Sequence, residues 1–444
     1  MHNKFGSGIY LRKYNFFKPG AKKGLEEVLD FQELSKEEQD YLSWKKVEAL
    51  LEHAYKNVPW YRRNFKNIGL LPKDISRPEY FSQVPVITRD DLKLNFDEFI
   101  SDTHRGREIK KITTGGSTGV PLMIGVNPKT VRELQKWQMF SWWGLSPEVN
   151  MASVYREIPI GTLTKLVLKF INWPRKLITL NATNLSDNSI EVFLEKFKKN
   201  KPQVLHGYLG ALDTLADYIL DHGISLPSPN VIWSTAAPLA KVQQRKIQKA
   251  FGAPVCDQYG CSEMYFIAAS CPQNNGLHQF SDAIKLEVLN GKGSPVPIGE
   301  HGKITLTNLN EFAFPLIRYE NGDQGRWLNS KCNCGINLPL MGQVKGRKSD
   351  NFNLPDGSII SGEYLTTLFD DYPDAVKRFQ VVQNKDLSID LKISANGKQA
   401  KVDKILKQVR QDLVEKVKGQ VTVAVVITDE IQSHGGKLKY VIKK

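Results

Sequence analysis

Nowhere in this 444-residue chain do about eighteen apolar residues run together, the length a helix needs to cross a bilayer. An integral membrane protein is therefore not expected. The opening MHNKFGSGIYLRKYNFF carries positive charge but has no continuous apolar core and no small-residue cleavage site, so export is not expected and a cytoplasmic location is. Cysteine is scarce. The five residues all lie between Cys256 and Cys334, an odd number in one stretch, which argues against a disulfide framework and for metal or chance. Acidic residues are outnumbered: 61 Lys and Arg against 47 Asp and Glu give a net charge of +14. That balance favours polyanions, whether nucleic acid, anionic lipid or phosphate-rich small molecules. No RNP, helix-turn-helix or zinc-finger pattern occurs, so no nucleic-acid partner is expected.

What is present is an ordinary soluble composition, 41% apolar and 24% charged, at a length that suits two or three domains of roughly 150 residues. From Ser35, a capping-box spacing to Glu38 followed by Leu42, Val47, Leu50, Leu51 and Ala54 predicts an amphipathic helix that Pro59 ends. Thr88 caps a second helix starting near Asp90, and Val131 to Trp143 has helical spacing. Between Ser189 and Phe251, helices alternate with the short runs QVLHGY and NVIWSTAAP, the mark of a parallel α/β sheet. From Ile284 shorter alternating runs suit antiparallel strands. Beyond Arg347, strand, strand, helix and strand make a unit of about 95 residues, the size of a small α+β domain.

The densest local signal is TTGGSTGVP, Thr113 to Pro121, where glycines let the backbone approach an anion while hydroxyls and N–H groups wrap its oxygens. It is not a P-loop, because Val120 rather than Lys follows Gly119. Four side chains, Cys271, His278, Cys332 and Cys334, form C-x6-H and C-x-C pairs of the soft and borderline type that suits tetrahedral structural Zn²⁺; free thiols with a surface His are the other reading. The stretch Thr164 to Leu180 mixes Lys and Arg with Leu, Val, Phe, Ile and Trp. Packing at a substrate pocket or in a homodimer is expected of it ahead of peripheral contact with an anionic membrane.

After the glycine-rich loop come STAAP (Ser234 to Pro238), DQYGCSE (Asp257 to Glu263), PLIRYENGD (Pro315 to Asp323), GRKSD (Gly346 to Asp350) and GGK (Gly435 to Lys437). In that order they resemble the adenylate-forming superfamily of acyl-CoA synthetases, peptide-synthetase adenylation domains and luciferases. HAYKNVPWYRRNF, PVITRDDL, HGYLGALDTLADYI and CNCG are similar to the phenylacetate-CoA ligase branch, with its CapK-like proteins of capsular polysaccharide synthesis. The resemblance implies an α/β fold: a large adenylation domain, residues 1–346, with parallel sheets and an antiparallel subdomain, then a small mobile α+β domain, 347–444. It implies an AMP-forming ligase that activates a small carboxylic acid with ATP and Mg²⁺ and passes the acyl group to CoA or, alternatively, to an amine such as an amino sugar.

The resemblance also assigns residues. Thr113, Thr114, Gly116, Ser117 and Thr118 would hold the β- and γ-phosphates, and Glu263 the Mg²⁺. Tyr259 would face adenine, with Ala236, Ala237 and Pro238 on its other side and Asp257, Gly260 and Ser262 completing the wall. Asp323 would take the ribose hydroxyls, Arg347 the ribose or phosphates, and Lys437 the charge developing at the α-phosphate. Ala237 stands where relatives carry Glu, and Ser349 where the hinge residue is usually Asp or Lys. Cys256 and Cys261 are expected to be buried fillers beside Tyr259. His206 is a candidate for facing an acyl pocket, and Tyr155 and Arg156 for meeting a substrate carboxylate, although a lone His beside a strand is more often a core residue.

Overall fold

The computed structural model describes residues 8–104, 109–114, 122–157, 161–344, 352–360, 364–365, 368–369, 372, 375–395, 399–428, 431 and 439–444. In chain order come helices α1 (Ile9–Phe17), α2 (Ala21–Phe31), α3 (Lys36–Asn57), α4 (Pro59–Asn67) and α5 (Arg89–Leu94), strands β1 (Lys110–Thr114) and β2 (Leu122–Val126), and α6 (Leu134–Trp142). Alternation follows: β3 (Met151–Tyr155), α7 (Thr162–Asn172), β4 (Leu177–Asn181), α8 (Asp187–Asn200), β5 (Val204–Tyr208), α9 (Leu209–Asp221), β6 (Val231–Thr235), α10 (Lys241–Phe251) and β7 (Val255–Cys261). Six strands come next, β8 (Tyr265–Ala269), β9 (Leu277–Gln279), β10 (Ile284–Leu289), β11 (Gly302–Asn308), β12 (Tyr319–Gly325) and β13 (Leu340–Met341). The last elements are β14 (Phe352–Asn353), β15 (Ile359–Ile360), β16 (Val376–Gln383), β17 (Ile389–Ala395), α11 (Gln399–Lys416), β18 (Val423–Ile427) and β19 (Val441–Lys443).

Contacts divide the chain into two compact units, 1–147 with 259–344 and 148–258 with 345–444. In the first, the capping box is present: Glu38 N donates to Ser35 Oγ at 3.3 Å, and Ser35 N to Glu38 Oε2 at 2.9 Å. Helix α3 stops because Val58, preceding a proline, is held extended at φ −115°, and Pro59 then opens α4 where its missing N–H costs nothing. Thr88 caps α5 as expected. The aromatic face of α4 fixes a distant strand. Trp60 stacks on Phe99 at 4.7 Å, and the Tyr61 hydroxyl donates to Pro315 O and accepts from Ile317 N, pinning the chain that enters β12.

Just before β12, Arg318 adopts φ +54°, a left-handed conformation that costs a side-chain-bearing residue roughly 1–2 kcal/mol. Its buried guanidinium donates to Glu287 Oε2 and to the Ser82 and Val84 carbonyls, which holds the bend. Strands β10, β11 and β12 form an antiparallel sheet, and Ile87 of the PVIT segment bridges to Tyr319 on its edge.

Asp282 in this unit is 2% exposed and receives Gln135 Nε2 at 3.1 Å; burial raises its carboxyl above the usual range. The folded state thus keeps a proton that the unfolded chain has released. Stability from this group is full below the unfolded value and falls as pH rises through the folded one. Asp282→Asn should flatten that fall, read as the change in urea midpoint between acid and neutral pH.

In the second unit the strands run parallel in the order β4-β3-β5-β6-β7. All five residues of β6 are buried, as a strand covered on both faces requires. Gly252 ends α10 at φ +64°, a conformation that glycine adopts without a Cβ penalty. Strands β16 and β17 pair antiparallel, with β19 and β18 added parallel outside them. Phe379, Leu391, Leu406 and Leu413 from this part share one apolar core with Leu205, Leu212 and Ile247 of the parallel layer. Helix α7 is the exception: it buries none of its residues. From the segment Thr164 to Leu180, only Arg175, Ile178 and Leu180 are buried, so its helical part is exposed in the single chain.

Candidate active site

Within the first unit β12 is the organising strand. Alternation along an extended chain puts Tyr319, Asn321 and Asp323 on one face. The Tyr319 hydroxyl donates to Glu263 Oε1 at 3.2 Å. Asn321 Nδ2 donates to the Tyr259 hydroxyl at 2.7 Å and to Asp323 Oδ2 at 2.8 Å, and the Tyr259 hydroxyl donates to the same Oδ2 at 2.8 Å. Gly322, at φ +90°, lets the strand bend between the last two. Asp323 therefore lies within a strand. Burial, aided by Asp323, pushes the Tyr259 phenol well up. The Cys261 thiol is raised by burial and then by the Glu263 and Asp323 carboxylates, so both acids act at one place. Cys261 is half-buried at the site, a correction to its reading as a buried filler; Cys256 is buried.

Glu263 is 8% exposed, whereas Ser262 beside it faces solvent. Glu263 lines a cavity of about 40 Å³ with Gly125 of β2, Arg132, Tyr265 and Glu311. Tyr265 sits at φ +61°, and the Arg132 guanidinium lies 4.3 Å from the centre of its ring. A bulky residue in that conformation persists only where its surroundings insist on it. Strands β1 and β2 form a hairpin with Thr113 opposite Met123 and Thr114 opposite Leu122. The glycine-rich stretch springs from its end, and Gly116, Ser117 and Thr118 lie outside the described residues. So do Arg347, Ser349 and Lys437.

In the second unit Ala236 follows β6 at φ +73° and is exposed, with Ala237 and Pro238 partly covered. Asp257 of β7 pairs with Ser234 of β6. Strand order reverses between β3 and β5, the switch point at whose carboxyl ends α/β sheets collect ligands. Tyr155 stands there edge-on to His206 at 5.1 Å and to Tyr208 at 4.8 Å. His206 is 5% exposed, while Arg156 is exposed. Tyr208, absent from the sequence reading, closes the HGY run and was legible as the last residue of that strand.

The four soft donors do come together. Cys271, His278, Cys332 and Cys334 hold their ligand atoms within 4.8 Å of one another, with Cys271 Sγ 3.5 Å from Cys332 Sγ and Cys334 Sγ 3.2 Å from His278 Nε2. Zinc–sulfur bonds of about 2.3 Å set tetrahedral S···S edges of roughly 3.8 Å, close to these separations. His278 Nδ1 donates to Leu338 O at 3.2 Å, which turns Nε2 inward. Burial lowers the His278 pKa, favouring the neutral ligand form, and lifts the Cys334 thiol to about 12.

Comparison with known proteins places the fold and the sequence beside known ligases. Residues 352–444 match the family described as the CapK C-terminal domain. Protein CapK of Staphylococcus aureus is 27% identical over 77% of this chain and 75% of its own length. The phenylacetate-coenzyme A ligase of Thermus thermophilus is 22% identical over 93% of this chain and 98% of its own. Among solved structures, a 2-hydroxyisobutyryl-CoA ligase in the postadenylation state superposes with a TM-score of 0.74 at 18% identity, over 93% of this chain and 91% of that one. The α/β fold is thus that of CoA ligases that work through an acyl-adenylate.

Proposed function

We propose that this relative of CapK and the phenylacetate-CoA ligases is an AMP-forming ligase: carboxylate and ATP give acyl-AMP and pyrophosphate, and CoA thiolate then displaces AMP. Carboxylates are poor acyl donors because oxide is a poor leaving group; AMP is a good one. The observation that carries the reading is that Tyr319, Asn321 and Asp323 of one strand pair Glu263, buried, with Tyr319, and Asp323, half-buried, with Asn321 and Tyr259, beside the hairpin that bears the glycine-rich stretch.

In this reading Asp323 accepts the ribose hydroxyls, and the two hydrogen bonds on its Oδ2 fix it for that task. Tyr259 offers its ring to adenine, held by its hydroxyl. Glu263, with a hard-oxygen donor and a cavity next to it, suits Mg²⁺, which would neutralise phosphate charge. Thr113, Thr114, Gly116, Ser117 and Thr118 keep the phosphate role, and Ala236, Ala237, Pro238, Asp257, Gly260, Ser262, Arg347 and Lys437 the roles their likeness implies. Residues 1–346 would carry adenylation and 347–444 would move between half-reactions. The four Cys and His donors fit a structural Zn²⁺. The reaction is placed in the cytoplasm.

The CapK-type C-terminal domain favours one second reading, since the small domain helps receive the acceptor: transfer to an amine. ATP–pyrophosphate exchange with a panel of carboxylic acids, followed by CoA or an amino sugar, tests both. Glu263→Gln is expected to slow exchange on the order of a hundredfold, and Asp323→Asn to raise the KM for ATP about tenfold with a smaller change in kcat. Exchange with no acid, or unchanged by either substitution, overturns the reading.

A further inference from the structure

Helix α7 is out of keeping with the rest of the chain. Every residue from 161 to 170 is exposed, including Leu163 at 76%, Leu166 at 60% and Phe170 at 60%. An eleven-residue helix is marginal in water without a surface to pack on. At about 100° per residue, Leu163, Leu166, Val167 and Phe170 fall on one stripe while Lys165 and Lys169 fall opposite. Trp173, Lys176 and Leu177 extend the exposed apolar and basic surface past the helix end, with Trp173 58% exposed. From Gly161 to Leu180 there are four cations and no Asp or Glu.

We infer that α7 is an interfacial anchor, which lays its apolar stripe into the surface of an anionic bilayer while its lysines meet the lipid headgroups. Charge selects this occupant. A membrane of anionic lipid complements a stripe flanked only by cations, and such a helix lies in the interface plane with its apolar face among the upper acyl chains. A second copy of the chain complements it poorly, since this segment has no Asp or Glu to offer the cations of its equivalent. Reversible attachment of this kind needs no spanning segment, and among the described residues no helix is long and apolar enough to be one.

The test is sedimentation of the full-length protein with vesicles of phosphatidylglycerol and phosphatidylcholine in equal parts, against phosphatidylcholine alone. Binding is expected only to the former, weakening as salt is raised, with a blue shift of tryptophan fluorescence. Lys165→Glu with Lys169→Glu, and separately Leu163→Ser with Leu166→Ser, should each weaken binding on the order of tenfold or more; these exposed sites leave the fold intact, which circular dichroism checks. No binding to either vesicle, equal binding to both, or variants that bind like the parent would overturn the inference. So would a dimer in sedimentation velocity that the leucine substitutions dissolve, which would make a second copy the occupant.

Discussion

Arg378→Met is expected to lower the stability of the second unit by about 3–5 kcal/mol, the usual result of removing one partner from a buried ion pair. Asp213 on α9 is fully buried and has two cations, Lys246 Nζ at 2.7 Å and Arg378 Nε. Asp217, one turn on, takes Lys246 at 2.9 Å and Arg378 Nη2 at 2.8 Å. Two acids and two bases thus balance, tying α9 and α10 to β16. With methionine at 378, two carboxylates share one ammonium, and one negative charge is left without compensation beside the fully buried Asp213. Burial already raises the Asp217 carboxyl, with the two cations opposing, so the variant should take up a proton there and recover part of the loss at acid pH. Urea unfolding at neutral and mildly acid pH measures both effects. Asp213→Asn added to Arg378→Met should restore stability, because it removes the stranded charge; a double variant no better than the single one would contradict the charge argument.

That network was not legible in the sequence. Asp213 and Arg378 are 165 residues apart, and nothing in LDTLADY marks which acid is buried. What could be read were local devices whose physics is short-range. Ser35 and Glu38 announce α3, Pro59 its end, Thr88 the start of α5, and the apolar run before Ser234 the buried strand β6. The division into units is of the other kind. The chain passes three times from one unit to the other, and no change of composition at Pro147, Gln258 or Val344 signals it.

The candidate site shows the same boundary. Glu263, Tyr259 and Asp323 were identified because motif order carries them. Asn321 and Tyr319 were missed although they lie within the same PLIRYENGD. The clue was there in the period of two from Tyr319 to Asp323, but it has meaning only once that segment is read as a strand rather than as a Gly-Asp turn. Tyr208 was hidden in the same manner at the end of QVLHGY. Residue type named the chemistry; the neighbours that hold it in position come from strand register.

Stripping metal from the four-donor cluster is the other change expected to be large. His278 on β9 pairs with Leu340 of β13, and Cys271 precedes β9 while Cys332 and Cys334 precede β13, so a bound ion would close both loops onto one short pair of strands. Two- and three-residue strands cannot hold themselves. A site filled at a thousandfold over its dissociation constant contributes about 4 kcal/mol, and the Cys271 and Cys334 thiols, held protonated by burial, would release protons as zinc enters. Protein purified with zinc is expected to carry one ion per chain by elemental analysis. Cys332→Ser should bring that to none and lower the melting temperature by roughly 10 °C, with Cys256→Ser, at a buried cysteine outside the cluster, leaving the zinc content at one. Chelation of the parent protein should reproduce the shift and added Zn²⁺ reverse it. If the parent carries no zinc and Cys332→Ser melts where it does, the cluster is four close side chains and not a clip.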